Sequence, residues 1–190
     1  MSLILTSSRN PSTRVRQALK EFSRLFPKNT VKIVSRGKQS LGDLFSKYQK
    51  YNAICIVTVR YGNPDSIVSY LKINEKFVWY LELKLERILL HFELKTEEVD
   101  HPYSSQIYFV DMNNDLKLKL TRFFNTVLNM KNDPNLGNNL IKDHDLEIIF
   151  SYKNPGFSIS AKLLKNKKKI KIGPKIDINE IIINDDDFTT

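Results

Sequence analysis

The residues best suited to do chemistry here are cations placed where an apolar run gives way to a helix start. Ser7-Ser8-Arg9-Asn10 follows Leu3–Ser7, and Ser35-Arg36-Gly37-Lys38-Gln39 follows Thr30–Ser35. Each segment leads into a helix N-terminus, where unpaired backbone N–H groups and the helix dipole favour anions. Arg9, Arg36 and Lys38 are therefore expected to converge on phosphates. Gly37 lets the backbone approach closely, and Ser7, Ser8, Asn10 and Ser12 shape the first loop. The competing reading is a pair of ordinary helix caps with solvated Arg and Lys. A second basic group comprises Lys162, Lys165, Lys167, Lys168, Lys169, Lys171 and Lys175, with Lys167-Lys168-Lys169 at a hairpin tip. Such lysines track a phosphate backbone as point charges, or shield a strand edge from pairing.

Other chemistries lack their residues. Gly37-Lys38-Gln39-Ser40 resembles a phosphate-binding P-loop but fails it, with Lys32 at the first glycine position and Gln39 at the Ser/Thr position. One cysteine and the scattered His91, His101 and His144 match no zinc spacing, and there is no G-x-S-x-G elbow. Glu97, Glu98, Asp100 and His101 form an acidic cluster that reads as a solvated linker before it reads as a metal site. Cys55, inside Ala53-Ile54-Cys55-Ile56-Val57, is expected as a buried strand residue in a reducing cytosol. Tyr61, Tyr70, Trp79 and Tyr80 offer rings on which bases could stack, although the core is the commoner place for them. The chain is read as a non-enzyme with no cofactor, no metal and no small-molecule substrate.

The positioning elements are legible from periodicity. Asn10-Pro11-Ser12 starts a helix carrying Val15, Leu19, Phe22 and Phe26 on one face, with Arg14, Arg16, Lys20 and Arg24 on the others. Ser40 and Asp43 resemble a capping box that opens a helix with Leu41, Leu44, Phe45 and Tyr48. Ala53–Arg60 is a central strand, Gly62-Asn63-Pro64-Asp65 a turn, and Ser66–Ile73 the returning strand. Phe77–Leu94 reads as one or two strands, with helix an alternative near Leu85–Phe92. A linker at Thr96–Ser105 precedes a strand at Ile107–Met112 and a helix marked by Leu116, Leu120, Phe123 and Val127. A loop at Asn132–Asn139 is followed by strands at Leu146–Tyr152, Phe157–Leu164, Lys169–Ile172 and Ile176–Ile183. The two helices carry their apolar residues at a constant offset, which points to two similar halves. The first strand–helix–strand unit is expected to be parallel, so the loops after its strands share one edge of the sheet.

Charge distribution narrows the partner. The net charge is +9, and residues 1–50 hold 11 Lys/Arg against 2 Asp/Glu. Residues 176–190 hold 5 acidic residues and no basic one, with an acidic tail at 185–190. A basic surface with pI near 9.5 suggests a polyanion. No apolar run approaches the roughly 20 residues of a membrane span, and the opening Met1–Leu5 runs directly into polar residues without a signal-peptide pattern. A cytoplasmic location is expected, with no membrane partner.

Four motifs in order resemble those of the Brix-domain family of ribosome biogenesis proteins. Ile4-Leu5-Thr6-Ser7-Ser8-Arg9-Asn10-Pro11-Ser12 is similar to that family's strand followed by T-S-R-x-P-S. Arg36-Gly37-Lys38-Gln39-Ser40-Leu41 is similar to its R-G-x-x-S/T-L, and Arg60-Tyr61-Gly62-Asn63-Pro64-Asp65 to its R-x-G-N-P-D. Ile172-Gly173-Pro174-Lys175 is similar to I-G-P-R/K. Lys72-Ile73-Asn74-Glu75-Lys76 lacks the Gly-Pro pair that the family often has there. Without long charged extensions, the chain looks like the compact archaeal form.

The resemblance implies an α/β fold of two similar halves, each a mixed sheet with helices akin to the anticodon-binding domain of class IIa aminoacyl-tRNA synthetases. One Brix domain would then cover 1–184, with halves of about 1–95 and 104–184. It implies a non-catalytic factor that binds ribosomal RNA in ribosome biogenesis, alongside other ribosome assembly proteins. The candidate RNA contacts are Arg9, Arg14, Arg16, Arg36, Lys38, Arg60, Lys167, Lys168, Lys169 and Lys175. Gly37, Gly62 and Gly173 join the serines and Asn10 as loop-shaping residues. Two alternatives are a module that docks proteins through exposed edge strands in 66–94 or 157–183, with RNA contact incidental, and an RNA-processing enzyme using Glu97–His101.

Overall fold

A computed structural model describes residues 3–27, 29–102, 104–128, 146–165 and 168–184. The loop expected at Asn132–Asn139, together with His144, Lys167 and the acidic tail, lies outside the described residues.

Strand β1 (Leu3–Ser7) is buried along its whole length because it is covered on both faces. Leu3 and Leu5 join one apolar cluster and Ile4 another. The chain then enters helix α1 (Thr13–Ser23), capped by the Ser12 hydroxyl accepting from Val15 N–H. It returns as the short strand β2 (Val31–Ile33), parallel to β1. Helix α2 (Leu41–Lys47) opens with the expected capping box between Ser40 and Asp43. Those contacts hold the Asp43 carboxyl below its ordinary range, chiefly through the Ser40 backbone N–H. Strand β3 (Ala53–Arg60) then lies parallel to β1 on its other side.

Two antiparallel pairings follow. Strands β4 (Asn63–Ile73) and β5 (Lys76–Leu89) extend the sheet, and a four-residue helix α3 (His91–Leu94) ends the run. Strand β6 (Ser105–Val110), helix α4 (Asn114–Leu128) and strands β7 (Leu146–Tyr152), β8 (Phe157–Lys165) and β9 (Lys168–Ile183) are the remaining elements of the described residues. Together they make a single nine-stranded mixed sheet in the order β2-β1-β3-β4-β5-β9-β8-β7-β6. From β1 inward the pairings run parallel, antiparallel, antiparallel, and from β6 inward they run the same way. The two sequences meet at the antiparallel β5–β9 pair.

Helices α1 and α4 share one face of this sheet. Phe22, Leu25 and Phe26 lie in the same cluster as Phe123 and Phe124, over Cys55, Leu81, Ile148 and Ile159. Tyr80 of β5 stacks on Phe123 at 6.1 Å and donates its hydroxyl to the Lys119 carbonyl at 2.9 Å. Ser105 Oγ donates to the Leu25 carbonyl at 2.9 Å, tying the start of β6 to the end of the α1 region. Helix α2 covers the opposite face near β1 and β3, where Leu41, Phe45 and Tyr48 pack on Ile4, Ile54 and Ile56.

Several boundaries differ from the sequence reading. The turn after β3 is Tyr61-Gly62, while Asn63, Pro64 and Asp65 already pair or lie within β4. Residues up to Leu89 are strand, which leaves helix only at His91–Leu94. The two strands expected at 169–172 and 176–183 are one. Gly173 and Pro174 have no ladder partner on β8, where the register shifts, so the missing proline N–H is not needed there.

Candidate nucleic-acid interface

Because β1, β2 and β3 run parallel, the loops that follow them leave the same edge of the sheet. Between the first two loops lies a cleft of about 490 Å³. Ser8 and Asn10 line it from one loop, Ser35 and Arg36 from the other, and Arg16 from α1. Leu19, Ile33 and Val34 supply its apolar part.

Local hydrogen bonds fix these walls. Ser8 N–H donates to the Val57 carbonyl at 2.9 Å, and Val34 N–H to the Leu5 carbonyl at 3.0 Å. Thr6 Oγ1 donates to the Val34 carbonyl at 2.8 Å. Asn10 and Gly37 both take left-handed backbone angles, φ 55° in each case, which bend the two loops sharply. Arg9 reaches across from the first loop to the second, with its Nη2 3.5 Å from the Lys38 carbonyl. Arg36 donates Nε–H to the Gln39 carbonyl at 2.9 Å, which orients a guanidinium that has further donors to offer. Arg9, Arg16 and Lys38 are exposed. The arrangement can bind a polyanion through several neighbouring cations at once, of which Arg9 and Arg36 are held by hydrogen bonds.

The β3–β4 tip closes onto this edge. Ser12 Oγ, besides capping α1, donates to the Gly62 carbonyl at 2.5 Å. Gly62 has φ 79°, an angle that favours glycine. Arg60 lies with its guanidinium carbon 5.5 Å from the Tyr61 ring centroid. Tyr61 itself is 91% exposed, whereas Tyr80 is fully buried and Tyr70 and Trp79 are partly so. The core placement expected for these four rings therefore fails at Tyr61.

Other sequence candidates go elsewhere. Arg14 makes two bonds to the Glu93 carboxylate, at 2.9 and 3.2 Å, and a third to the Ile88 carbonyl at 2.9 Å. These contacts commit it to α3 and β5. Lys169 pairs with Glu147 at 2.7 Å, and that hydrogen bond raises its pKa. Lys175 lies 3.5 Å from the buried Asp177. Lys168 is exposed and pairs in register with Lys165 at the start of β9. Strand β9 runs opposite to β5, and β5 runs with β3, so Lys168 leaves the sheet at the same end as the cleft loops. Along the strand it stands seven residues, about 23 Å, beyond Lys175, which pairs with Leu89 at the end of β5.

Gly173, expected to shape a loop, lies inside β9 as a packing position. A β-carbon there would stand 2.7 Å from His91 N and 3.0 Å from Glu21 Oε2. The buried Glu21 accepts from His91 N–H at 2.8 Å and lies 2.7 Å from His91 Nδ1. This contact among α1, α3 and β9 has no local sequence signal, since its members are 70 residues or more apart. The Ser12–Gly62 bond, between residues 50 apart, has none either.

Neither Cys55 nor the Glu97–His101 cluster lines the cleft. Burial pushes the Cys55 thiol up to about 12, against a smaller opposing effect of Ser69. The Glu97–His101 cluster is divided among separate partners: Glu98 takes Arg24 and Lys20, Glu97 lies near Lys165, and His101 Nδ1 faces the Phe26 carbonyl. Among the described residues no three His, Cys, Asp or Glu side chains gather to hold a metal ion. No helix among them is long and apolar enough to cross a membrane.

No protein-family model matches the chain. It is 38% identical over 103 residues to a probable Brix domain-containing ribosomal biogenesis protein of Sulfurisphaera tokodaii. That match spans 47% of this chain and 56% of the relative, so the chain aligns with little more than half of that protein's length. Its fold is similar to the crystal structure of a probable ribosomal biogenesis protein from Aeropyrum pernix, with TM-score 0.67 and 16% identity over 94% of this chain and 96% of the other. It is also similar to Mil, an archaeal Imp4-like protein, with TM-score 0.63 and 19% identity over 96% and 99%. The resemblance to the Brix-domain family read from the four motifs is thus matched by a relative of that description and by two structures of the same fold.

Proposed function

We propose that this protein is a non-catalytic factor of ribosome biogenesis that binds ribosomal RNA through the cleft between its first two loops. The observation that carries this reading is the convergence on one sheet edge of Arg9, Arg36 and Lys38, in loops fixed by hydrogen bonds, and of Arg16 from α1. Preorganised cations lose little freedom on meeting phosphates, and counterion release supplies the affinity. Lys168, at the same end of the strands, extends the footprint, with Lys167 beside it in sequence. The relative's description as a ribosomal biogenesis protein supports ribosomal RNA as the polyanion, met in the cytoplasm within assembling particles. The matching order of pairings from β1 and β6 inward supports one Brix domain of two halves, about 1–95 and 104–184, each akin to the anticodon-binding domain of class IIa synthetases.

Replacing Arg36 and Lys38 together by Ala removes two cations of the second loop. Weaker binding to ribosomal RNA fragments and a shallower salt dependence are the expected outcome; unchanged affinity and slope would remove the cleft from the account.

Protein docking has one observation in its favour. Phe92 is 57% exposed and opens onto a shallow, mostly apolar hollow floored by the buried Leu90, beside Thr13, Arg14 and Gln17. Strand addition within 66–94 or 157–183 is confined to the starts of β5 and β9, because β4, β5, β8 and β9 each have a neighbour on both sides and the β5–β9 ladder leaves only Lys76–Trp79 and Lys168–Pro174 unpaired on that side.

A further inference from the structure

Tyr61 is the most exposed large hydrophobic side chain among the described residues. Turn geometry does not explain it. Tyr61 and Gly62 have φ 48° and 79°, the two successive positive angles of a tight hairpin turn that favours Asn-Gly. A tyrosine there is disfavoured by its own backbone. The surroundings nevertheless hold it in place: Arg60 pairs with Asn63, Ser66 N–H donates to Thr58 Oγ1 at 2.9 Å, and Ser12 holds the Gly62 carbonyl. Arg60 lies over the ring while the side chain stays almost wholly open to solvent. An exposed aromatic ring braced by a guanidinium is a platform on which a base can stack.

Its position decides which base. The tip is bonded to Ser12, the residue that ends the first cleft loop. We infer that Tyr61 stacks on an unpaired base of the RNA strand whose phosphates occupy the cleft. The site therefore selects single-stranded or looped RNA over uninterrupted duplex, whose bases are already stacked on both faces. This inference rests on the RNA reading of the cleft and names the form of RNA that the cleft takes.

The test uses the full chain, a fluorescently labelled single-stranded RNA, and the blunt duplex made from it. Tyr61→Asn supplies the residue that the turn prefers, so its melting temperature should equal or exceed that of the wild type. It should bind the single strand about tenfold more weakly, the loss of one base–aromatic stack, with the salt slope unchanged. Tyr61→Phe should bind as the wild type does, and duplex binding should be the same in all three proteins. Full single-strand affinity in Tyr61→Asn, or an equal loss on duplex, would overturn the inference. An Arg36→Ala, Lys38→Ala variant that binds undiminished would instead remove the cleft reading, and failure of the wild type to bind either RNA would remove both.

Discussion

Ser12 does two jobs at once, and its replacement should show both. Its hydroxyl accepts from Val15 N–H to cap α1 and donates to the Gly62 carbonyl to hold the hairpin tip. Ser12→Ala should lose about 1 kcal/mol of stability in urea unfolding, the usual cost of a lost cap. The same change should weaken RNA binding, because the tip and the first loop are no longer tied. Gly173 offers a sharper contrast. Gly173→Ala drives a β-carbon against the His91 backbone at 2.7 and 2.8 Å and should cost about 1–3 kcal/mol. Gly42, exposed in α2, would place its β-carbon 3.7 Å from Ser40 Oγ. Gly42→Ala should therefore gain about 0.5–1 kcal/mol in the same measurement. At this scale the sequence placed Arg9, Arg36 and Lys38 in neighbouring loops because strand–loop–helix order is local. It could not place Arg14, whose partners Glu93 and Ile88 are more than 70 residues away.

Ion pairs join the elements across long stretches of chain, and they set the response to acid. Arg14 binds Glu93 of α3, while Lys20 and Arg24 bind Glu98 just beyond it, so α1 holds the segment after β5. Arg87 of β5 binds Asp177 of β9 at 2.6 Å. The Arg14 hydrogen bond holds Glu93 below its ordinary 4.5, and the Arg24 hydrogen bond does the same for Glu98. Burial works against ionisation of Asp177, but the Arg87 hydrogen bond and the charges of Lys175, Lys153 and Arg87 outweigh it and bring it below 3.8. A carboxylate whose folded-state pKa is depressed contributes its full stability above its unfolded value and loses it as the pH falls through the folded one. Stability should be insensitive to these groups at neutral pH and fall as the pH drops from about 4.5 downward. Glu98→Gln should flatten that fall when denaturation midpoints are followed against pH, and an unchanged profile would contradict the pairing. Helices α1, α2 and α4 were legible as elements because their apolar residues recur every three or four positions. The union of 168–183 into one strand was not, since Gly173-Pro174 reads locally as a break and only the β5 and β8 ladders override it.

One sheet of nine strands brings both ends of the described chain to its middle or its edge. Strand β9 is inserted beside β5, and β1 lies next to the edge strand β2. That closure is invisible in the sequence, since the β5–β9 register links residues about 90 apart. It puts the cleft loops, the β3–β4 tip and the start of β9 at one end of the strands. The central claim is that this end is a phosphate-binding surface for RNA. Binding of the purified protein to ribosomal RNA fragments across a salt series, against an acidic protein of the same size, tests it most directly. Affinity should fall steeply as salt rises, with a log–log slope of roughly 0.7 to 0.9 per phosphate contacted. No binding even at low salt would contradict the claim and leave the Phe92 hollow as the surface to pursue.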